Sequence, residues 1–361
     1  MGNIKKIIII LFVLAFGLLT GVIANRRVAS PDETIELINN PLTLKSRKNI
    51  IGFMPFWLLA NTKQSYKPYL TTFAYYALVI NADGTIQKKV NDIEEEPGWT
   101  TFKKEELQQK LSQAKRDGLK TSLLIFTVDE DDIFELVQNP QISAQNFLAD
   151  IIPIMKEYKF DDLNMDIESF VKTSSENQIK YASFLREVKK GMDENKLGTL
   201  TIDITPESLI KSRLTKAEYL VDIADYIVLM GYDFHFIYSQ VTGPVAPIGG
   251  GRTIDEFDVI NAVEIALQSI PQQKLILGIP LYGYEWDTIE SNPRSAVIPF
   301  SGKTASTRRV EEILADCNNC TKSQDTTAQQ PYLVNAEKNY YRGFRNYVRH
   351  FQTSADSSHP T

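Results

Sequence analysis

From residue 49 onward, short apolar, β-branched and aromatic runs alternate with stretches whose apolar residues recur every three or four positions. The first pattern is that of strands and the second that of helices. NIIGFMPFW (49–57) and TTFAYYALVI (71–80) are the first two strand-like runs. The helical stretch KEELQQKLSQAKRDG follows, with Leu107, Leu111 and Ala114 on one face and Gly118 closing its end. TSLLIFT (121–127) is the next strand. Ser143 is placed to cap the helix after it, whose stripe is Phe147, Leu148, Ile151, Ile152 and Met155, and Pro153 is expected to bend or split it. Another helix is expected from Ser175, where Gln178 completes a capping box, with the stripe Ile179, Ala182, Leu185, Val188 and Met192. TLTIDIT (199–205), DYIVLMGYD (225–233) and KLILGIPLYG (274–283) continue the series.

Between these last two helical patterns lies FDDLNMDIESF (160–170), where Asn164, Asp166 and Glu168 alternate with Leu163, Met165 and Ile167. Strict alternation puts the polar trio on one face of a strand and the apolar trio on the other. With this run the strands appear in βαβα order, which predicts a parallel sheet with helices outside. No GxGxxG or GxxxxGK follows the first strand, so a dinucleotide-binding sheet is disfavoured and a (β/α)8 barrel of the TIM type is expected. In such a barrel the polar trio points inward, and buried carboxylates are costly unless paired or used in chemistry. Residues two apart on a strand are ~6–7 Å apart on the same side, so Asp166 and Glu168 share a site and one of their pKa values should rise. Glu168, nearer the mouth, is then the candidate general acid. A structural cluster neutralised by Lys or Arg is the alternative.

DDLNMDIE, Asp161 to Glu168, resembles the D-x-x-D-x-D-x-E signature of the family 18 glycoside hydrolases, the chitinase-like enzymes with their bacterial wall and spore members. Asp161, Asp166 and Glu168 match, and Asn164 replaces the second Asp. In the same order, FMPFW resembles the family's first strand, FAYYALVINADG its second, MGYD (230–233) the M-x-Y-D of its sixth, and GIPLYGYEW (278–286) its seventh-strand segment. The similarity spans residues 49 to 335. It implies hydrolysis of β-1,4 bonds of N-acetylglucosamine-containing glycans with the substrate's acetamido group as nucleophile and net retention. On that resemblance Glu168 protonates the leaving oxygen, Asp166 holds the acetamido N–H, and Tyr232 hydrogen-bonds the acetamido oxygen. Asp233 helps hold the sugar, Asn164 sits below Asp166, and Asp161, which completes the motif, is counted with Asn164 among the substrate-binding residues. Trp57 and Trp286, just past strand ends, are expected to stack on sugar rings, with Tyr284 at the same rim. Phe53, Phe56, Tyr75, Tyr76 and Tyr282 are expected in the core. No cofactor and no metal are implied.

The family's eighth strand is not found. After PYLV (331–334), Tyr340, Phe344, Tyr347, Val348 and Phe351 recur at helical spacing, so residues 336–361 are expected to be a diverged or truncated tail outside a barrel domain at 47–335. This gap keeps a second function open: a chitinase-like carbohydrate-binding protein with little turnover. At the other end, Lys5 and Lys6 precede an uncharged apolar run at residues 7–24, the size of a short membrane span or a long signal-peptide core. A signal peptide or membrane anchor is expected there, then a polar tether at 25–46, which places the domain outside the cytoplasm, secreted or anchored through that segment. Cys317 and Cys320 sit as CNNC, open to a local disulfide in an exported chain or to two free thiols. The 361 residues are 43% hydrophobic and 23% charged with a formal charge of −6, and no basic stripe with interleaved aromatics suggests a nucleic-acid partner.

Overall fold

The computed structural model describes residues 49–62, 66–250, 257–317, 319–335 and 342–346. The apolar run at 7–24, the tether and the chain after 346 lie outside the described residues. Among the described residues, no helix is long and apolar enough to cross a membrane.

Seven strands form one parallel sheet in chain order: β1 (Ile51–Pro55), β2 (Thr72–Val79), β3 (Lys120–Thr127), β4 (Asp162–Ile167), β5 (Thr199–Ile204), β6 (Tyr226–Met230) and β7 (Leu275–Gly278). The connections carry helices α1 (Pro97–Phe102), α2 (Glu105–Arg116), α3 (Glu130–Gln138), α4 (Pro140–Tyr158), α5 (Ser175–Asn195), α6 (Ala217–Leu220) and α7 (Val259–Ser269). The register pairs Ile125 with Met165 and Met165 with Ile202, so the apolar residues of adjacent strands form rows on the helix-covered face. Leu163, Met165 and Ile167 join that core together with Leu107 and Leu111 of α2 and Leu185 and Val188 of α5. Each such side chain contributes ~1.5–3 kcal/mol on burial, which makes this core the main support of the sheet.

Local signals were shifted where packing outweighed them. α4 begins at Pro140, which tolerates the first helical position because its missing N–H would have no partner there, and Ser143 lies buried inside the helix rather than capping it. The helix runs on through Pro153 as a single 19-residue element. It is held against α5 by Phe147, Ile151 and Met155, and Gly191 of α5 leaves room for Leu148, because a Cβ there would come within 2.4 Å of its Cδ1. α5 is capped by Ser174, one residue before the expected Ser175: the Ser174 hydroxyl accepts the Asn177 N–H at 3.2 Å.

β1 and β7 are the two edges of the sheet, and no described strand joins them. After β7 the chain builds a second sheet that periodicity did not foretell. Its strands are β8 (Gly283–Asp287), β9 (Lys303–Ala305), β10 (Cys320–Asp325), β11 (Gln330–Asn335) and β12 (Arg342–Asn346), antiparallel in the order β10-β11-β12-β8-β9. The run read as one seventh-strand segment is therefore split: Gly278 ends β7 and Gly283 starts β8. Residues 342–346, assigned to a helically spaced tail, instead form an inner strand between β11 and β8. Pairing on both edges decides that segment over its local period. Helix α8 (Thr307–Asp316) packs Val310 and Ile313 on Leu333 of β11, and a disulfide between Cys317 and Cys320 ties its end to β10.

Candidate active site

β4 is buried along its whole length. Its inward side chains, Asp162, Asn164 and Asp166, therefore meet protein rather than bulk water, and Glu168 follows just beyond its C-terminal end. Glu168 is held by its backbone N–H, which donates to the Thr127 carbonyl at 3.0 Å. On the neighbouring strand Asn164 is level with Thr201, so the next inward pair is Asp166 and Asp203. Asp162 lies deeper, where its carboxylate accepts the hydroxyls of Ser122 at 2.7 Å, Thr199 at 2.6 Å and Thr201 at 2.9 Å.

These acids are not neutralised by cations: none of Asp162, Asp166, Glu168 and Asp203 forms an ion pair with a described Lys or Arg. Burial is the main cause of every shift that results. It lifts Glu168 to about 7, helped by the negative charge of Asp233. It holds Asp166 well above the carboxylate range, with Glu168 and Asp203 adding repulsion. Asp203 is raised in the same way, opposed by the amide of Asn164 and reinforced by Glu168 and Asp162. Asp162 rises to about 6 even though three hydroxyls favour its charged form. Like charges this close do not all ionise together at neutral pH, so the group retains protons. Asp166 Oδ1, Asp203 Oδ1 and both amide atoms of Asn164 are buried without a hydrogen bond of ordinary geometry to the protein. Buried polar atoms in that condition cost stability and point to function.

The site opens into a cleft of about 2270 Å³ that extends from the C-terminal ends of the strands down along β1 and β7, lined by Asp166, Glu168, Asp203, Tyr232, Asp233 and Tyr76 at one end and by Ile51 and Ile276 further down. Tyr232 follows β6, and burial raises its hydroxyl pKa strongly, with the charges of Asp166, Asp203, Glu168 and Asp233 adding to it. Gly278 of β7 allows that placement, because a Cβ there would lie 2.9 Å from Tyr232 Cε1. Asp233 adopts a left-handed backbone with φ of 59° and accepts the hydroxyls of Tyr282 and Tyr284, both at 2.9 Å. It keeps solvent contact at the cleft wall, yet crowding by the surrounding side chains raises its pKa. Trp57 stands 57% exposed on the opposite rim, edge-on to Tyr76 with centroids 5.9 Å apart.

Two residues assigned to the sugar site from sequence lie elsewhere. Asp161 is at the N-terminal end of β4, away from Glu168, where its carboxylate accepts the Thr121 N–H at 2.8 Å and the Thr121 hydroxyl at 3.1 Å. It staples two strands and does not reach the cleft. Trp286 is fully buried beside Val245 and Tyr284, and its indole N–H donates to the Phe236 carbonyl at 3.1 Å. No ring face is left for a sugar, so it supports the wall from behind.

Conversely, Tyr76 and Tyr282, expected in the core, line the cleft, as does Phe53, whereas Tyr75 is buried with its hydroxyl on the Gly98 carbonyl at 2.8 Å. Asp203 and Asp162 were missed. Both were legible as alternation: Thr199, Thr201 and Asp203 share a strand face, and Asp162 extends the face of Asn164 and Asp166 by one step back.

Several known proteins are similar to this chain. The cortical fragment-lytic enzyme of Bacillus anthracis is 24% identical over 294 residues, covering 78% of this chain and 59% of its own length. The chain thus spans less than two thirds of that relative. Among solved structures, the spore cortex-lytic enzyme SleL of Bacillus cereus superposes with a TM-score of 0.63 at 19% identity, covering 83% of this chain and 65% of SleL. A chitinase from Cycas revoluta, solved with (GlcNAc)3, superposes with a TM-score of 0.65 at 18% identity, covering 83% and 87%. These likenesses identify the sheet and its helices as a fold of the (β/α)8 barrel type. The model of the glycosyl hydrolases family 18 matches residues 49–348, and the chain belongs to that family.

Proposed function

We propose that the protein hydrolyses β-1,4 bonds beside N-acetylated sugars in chitin- or peptidoglycan-like glycans, with the substrate's own 2-acetamido oxygen as nucleophile. The observation that carries this reading is Glu168: a carboxyl raised to about 7 at the wall of a cleft, with a second raised carboxyl, Asp166, behind it. Glu168 gives its proton to the glycosidic oxygen as the bond to the anomeric carbon breaks, and the acetamido oxygen closes on that carbon to form an oxazolinium ion. Asp166 holds the acetamido N–H. As positive charge develops, Asp166 passes its proton to Asp203, the level carboxyl, and stabilises the ion as a carboxylate. Tyr232 donates to the acetamido oxygen and Asp233 holds the sugar from the wall. Water then attacks with Glu168 taking its proton, so configuration is retained. Asn164 beneath Asp166 cannot take up a proton, which leaves Asp203 as the acceptor.

Trp57 offers an exposed ring for stacking on a pyranose. The cortex-lytic relatives favour a wall glycan over crystalline chitin, and the apolar run at 7–24 suits a secreted or anchored protein acting outside the cytoplasm. A glycan-binding protein with little turnover is the second reading, favoured by the two sheet edges that no described strand joins. Fluorophore release from N,N′-diacetylchitobioside, and reducing ends released from peptidoglycan, separate the two. Turnover that disappears in Glu168→Gln supports the hydrolase. Binding of oligosaccharide without turnover by the folded protein replaces it with the second reading.

A further inference from the structure

Glu168 stands where the β4 ladder ends, so its placement depends on the loop that follows. That loop carries Phe170 and Val171 with their side chains more than half exposed, an arrangement that gives it little apolar anchorage of its own. Two elements grip it instead. From one side Glu130, the first residue of α3, reaches across: its Oε2 accepts the Ser169 hydroxyl at 2.8 Å, and its Oε1 accepts the N–H groups of Phe170 at 2.6 Å and Val171 at 3.2 Å. From the other side the stretch after β5 holds the loop. Arg213 donates to the Phe170 carbonyl while paired with Glu207, and Ser212 and Thr173 exchange hydrogen bonds at 2.9 and 2.8 Å.

The geometry points to Glu130 as a positioning residue that fixes Glu168 for proton transfer by binding the three residues immediately after it. Three hydrogen bonds to one carboxylate, two from successive backbone N–H groups, form a charge-assisted clamp of the stronger kind. The grip is applied within one to three residues of a group that must be held to ~0.5 Å for efficient catalysis. Glu130 acts through geometry rather than charge: the negative charge that raises Glu168 beyond burial is that of Asp233. Glu130 touches no reacting atom in the proposed mechanism. The inference rests on that reading of Glu168, and its test therefore includes readouts that do not need turnover.

The test compares Glu130→Ala with Glu130→Gln in the full chain. Gln keeps an acceptor for the Phe170 and Val171 N–H groups and can donate to the Ser169 oxygen, so it should rescue. The expected result for Ala is a ~10–100-fold loss in kcat with KM within about threefold, and for Gln a kcat within about fivefold of the parent. Independently of activity, hydrogen exchange at Phe170 and Val171 should be slow in the parent and in Gln and fast in Ala. The Glu168 carboxyl, followed by ¹³C NMR, should titrate lower in Ala as the loosened loop admits water. A folded Ala variant with parental kcat, slow exchange and an unmoved Glu168 titration overturns the proposal, as does a Gln variant as impaired as Ala. Should Ala fail to fold, exchange in the parent decides: slow exchange at 170 and 171 supports the clamp, and fast exchange overturns it. If the parent itself lacks turnover, the proposed function fails while exchange and titration still settle the clamp.

Discussion

Replacing Asp233 by Asn isolates one cause of the raised Glu168 pKa. Glu168 moves from 4.5 to about 7, a rise that disfavours its charged form by ~3.4 kcal/mol. Burial is the larger cause and the charge of Asp233 the smaller, so the charge accounts for less than half, at most ~1.7 kcal/mol or ~1.2 pH units. The amide oxygen introduced by Asp233→Asn still accepts the hydroxyls of Tyr282 and Tyr284, so the wall should keep its shape. The sign follows from the role: a general acid works while protonated, and activity falls as pH rises through its pKa. Lowering that pKa moves the basic limb of the kcat/KM profile to lower pH by ~0.5–1.2 units, whatever the loss in absolute rate. Because kcat/KM reports the free protein, the profile reads the unliganded Glu168 directly. A basic limb that stays in place, or moves to higher pH, refutes both the assignment of Glu168 as the acid and the part given to Asp233.

Asn164→Asp adds a carboxyl beside Asp166 and Asp203 and should raise the pKa values of the group, carrying the basic limb of the pH–rate profile upward; an unmoved profile contradicts the placement of Asn164 at the site. Asp162→Asn tests buried charge: the native pKa of about 6 against 3.8 costs ~3 kcal/mol above pH 6, a cost relieved as pH falls through 6 towards 4 because the native state then binds more protons. Denaturant unfolding at pH 4.5 and 7.5 should therefore show the parent gaining ~2 kcal/mol on the variant at the lower pH, and parallel behaviour would refute it. Trp286→Ala should lower stability by ~3–5 kcal/mol, whereas Trp57→Ala should change it by less than ~0.5 kcal/mol and raise KM instead; thermal unfolding and oligosaccharide kinetics distinguish these from the reverse pattern.

The parallel sheet was legible because its strands are buried and alternate with amphipathic helices, two periods that the chain writes plainly. Glu168 and Asp166 were legible because polar residues at period two on a strand buried on both faces have few structural explanations. The second sheet was not legible: β10 is polar and half-exposed, β12 has no apolar alternation, and their strand character comes from neighbours distant in sequence. The same limit explains Trp286. Its position just past a strand-like run is the same as that of Trp57, and only packing against Val245 and Tyr284 tells a buried support from a stacking platform. Asp161 misled for a different reason: it came with the motif, although its place ahead of Asp166 in the same run puts it at the end away from the mouth.

The inner face of β4 and β5 carries more charge than a structural role explains. Replacing a buried charged cluster by apolar residues of similar volume is often neutral or stabilising, so three aspartates paired with no described cation are a standing cost. Their electrostatic order gives that cost a purpose. Asp162 is too deep to meet a glycan, but its charge helps raise Asp203. Asp203 in turn helps raise Asp166, and Asp233 helps raise Glu168 from the wall. Burial is the larger cause in each case, and the charge of Glu168 acts inward on both Asp166 and Asp203, so the acids on the two strands hold their protons as a group. Burial and the Asp233 charge keep the Glu168 pKa at about 7, and the buried aspartates beneath it retain protons as a pair, the two conditions that the proposed hydrolysis assisted by an acetamido group requires. Glu168→Gln should therefore lower the titration of both Asp166 and Asp203, followed by ¹³C NMR of the carboxyls, and unmoved aspartates would contradict this coupling.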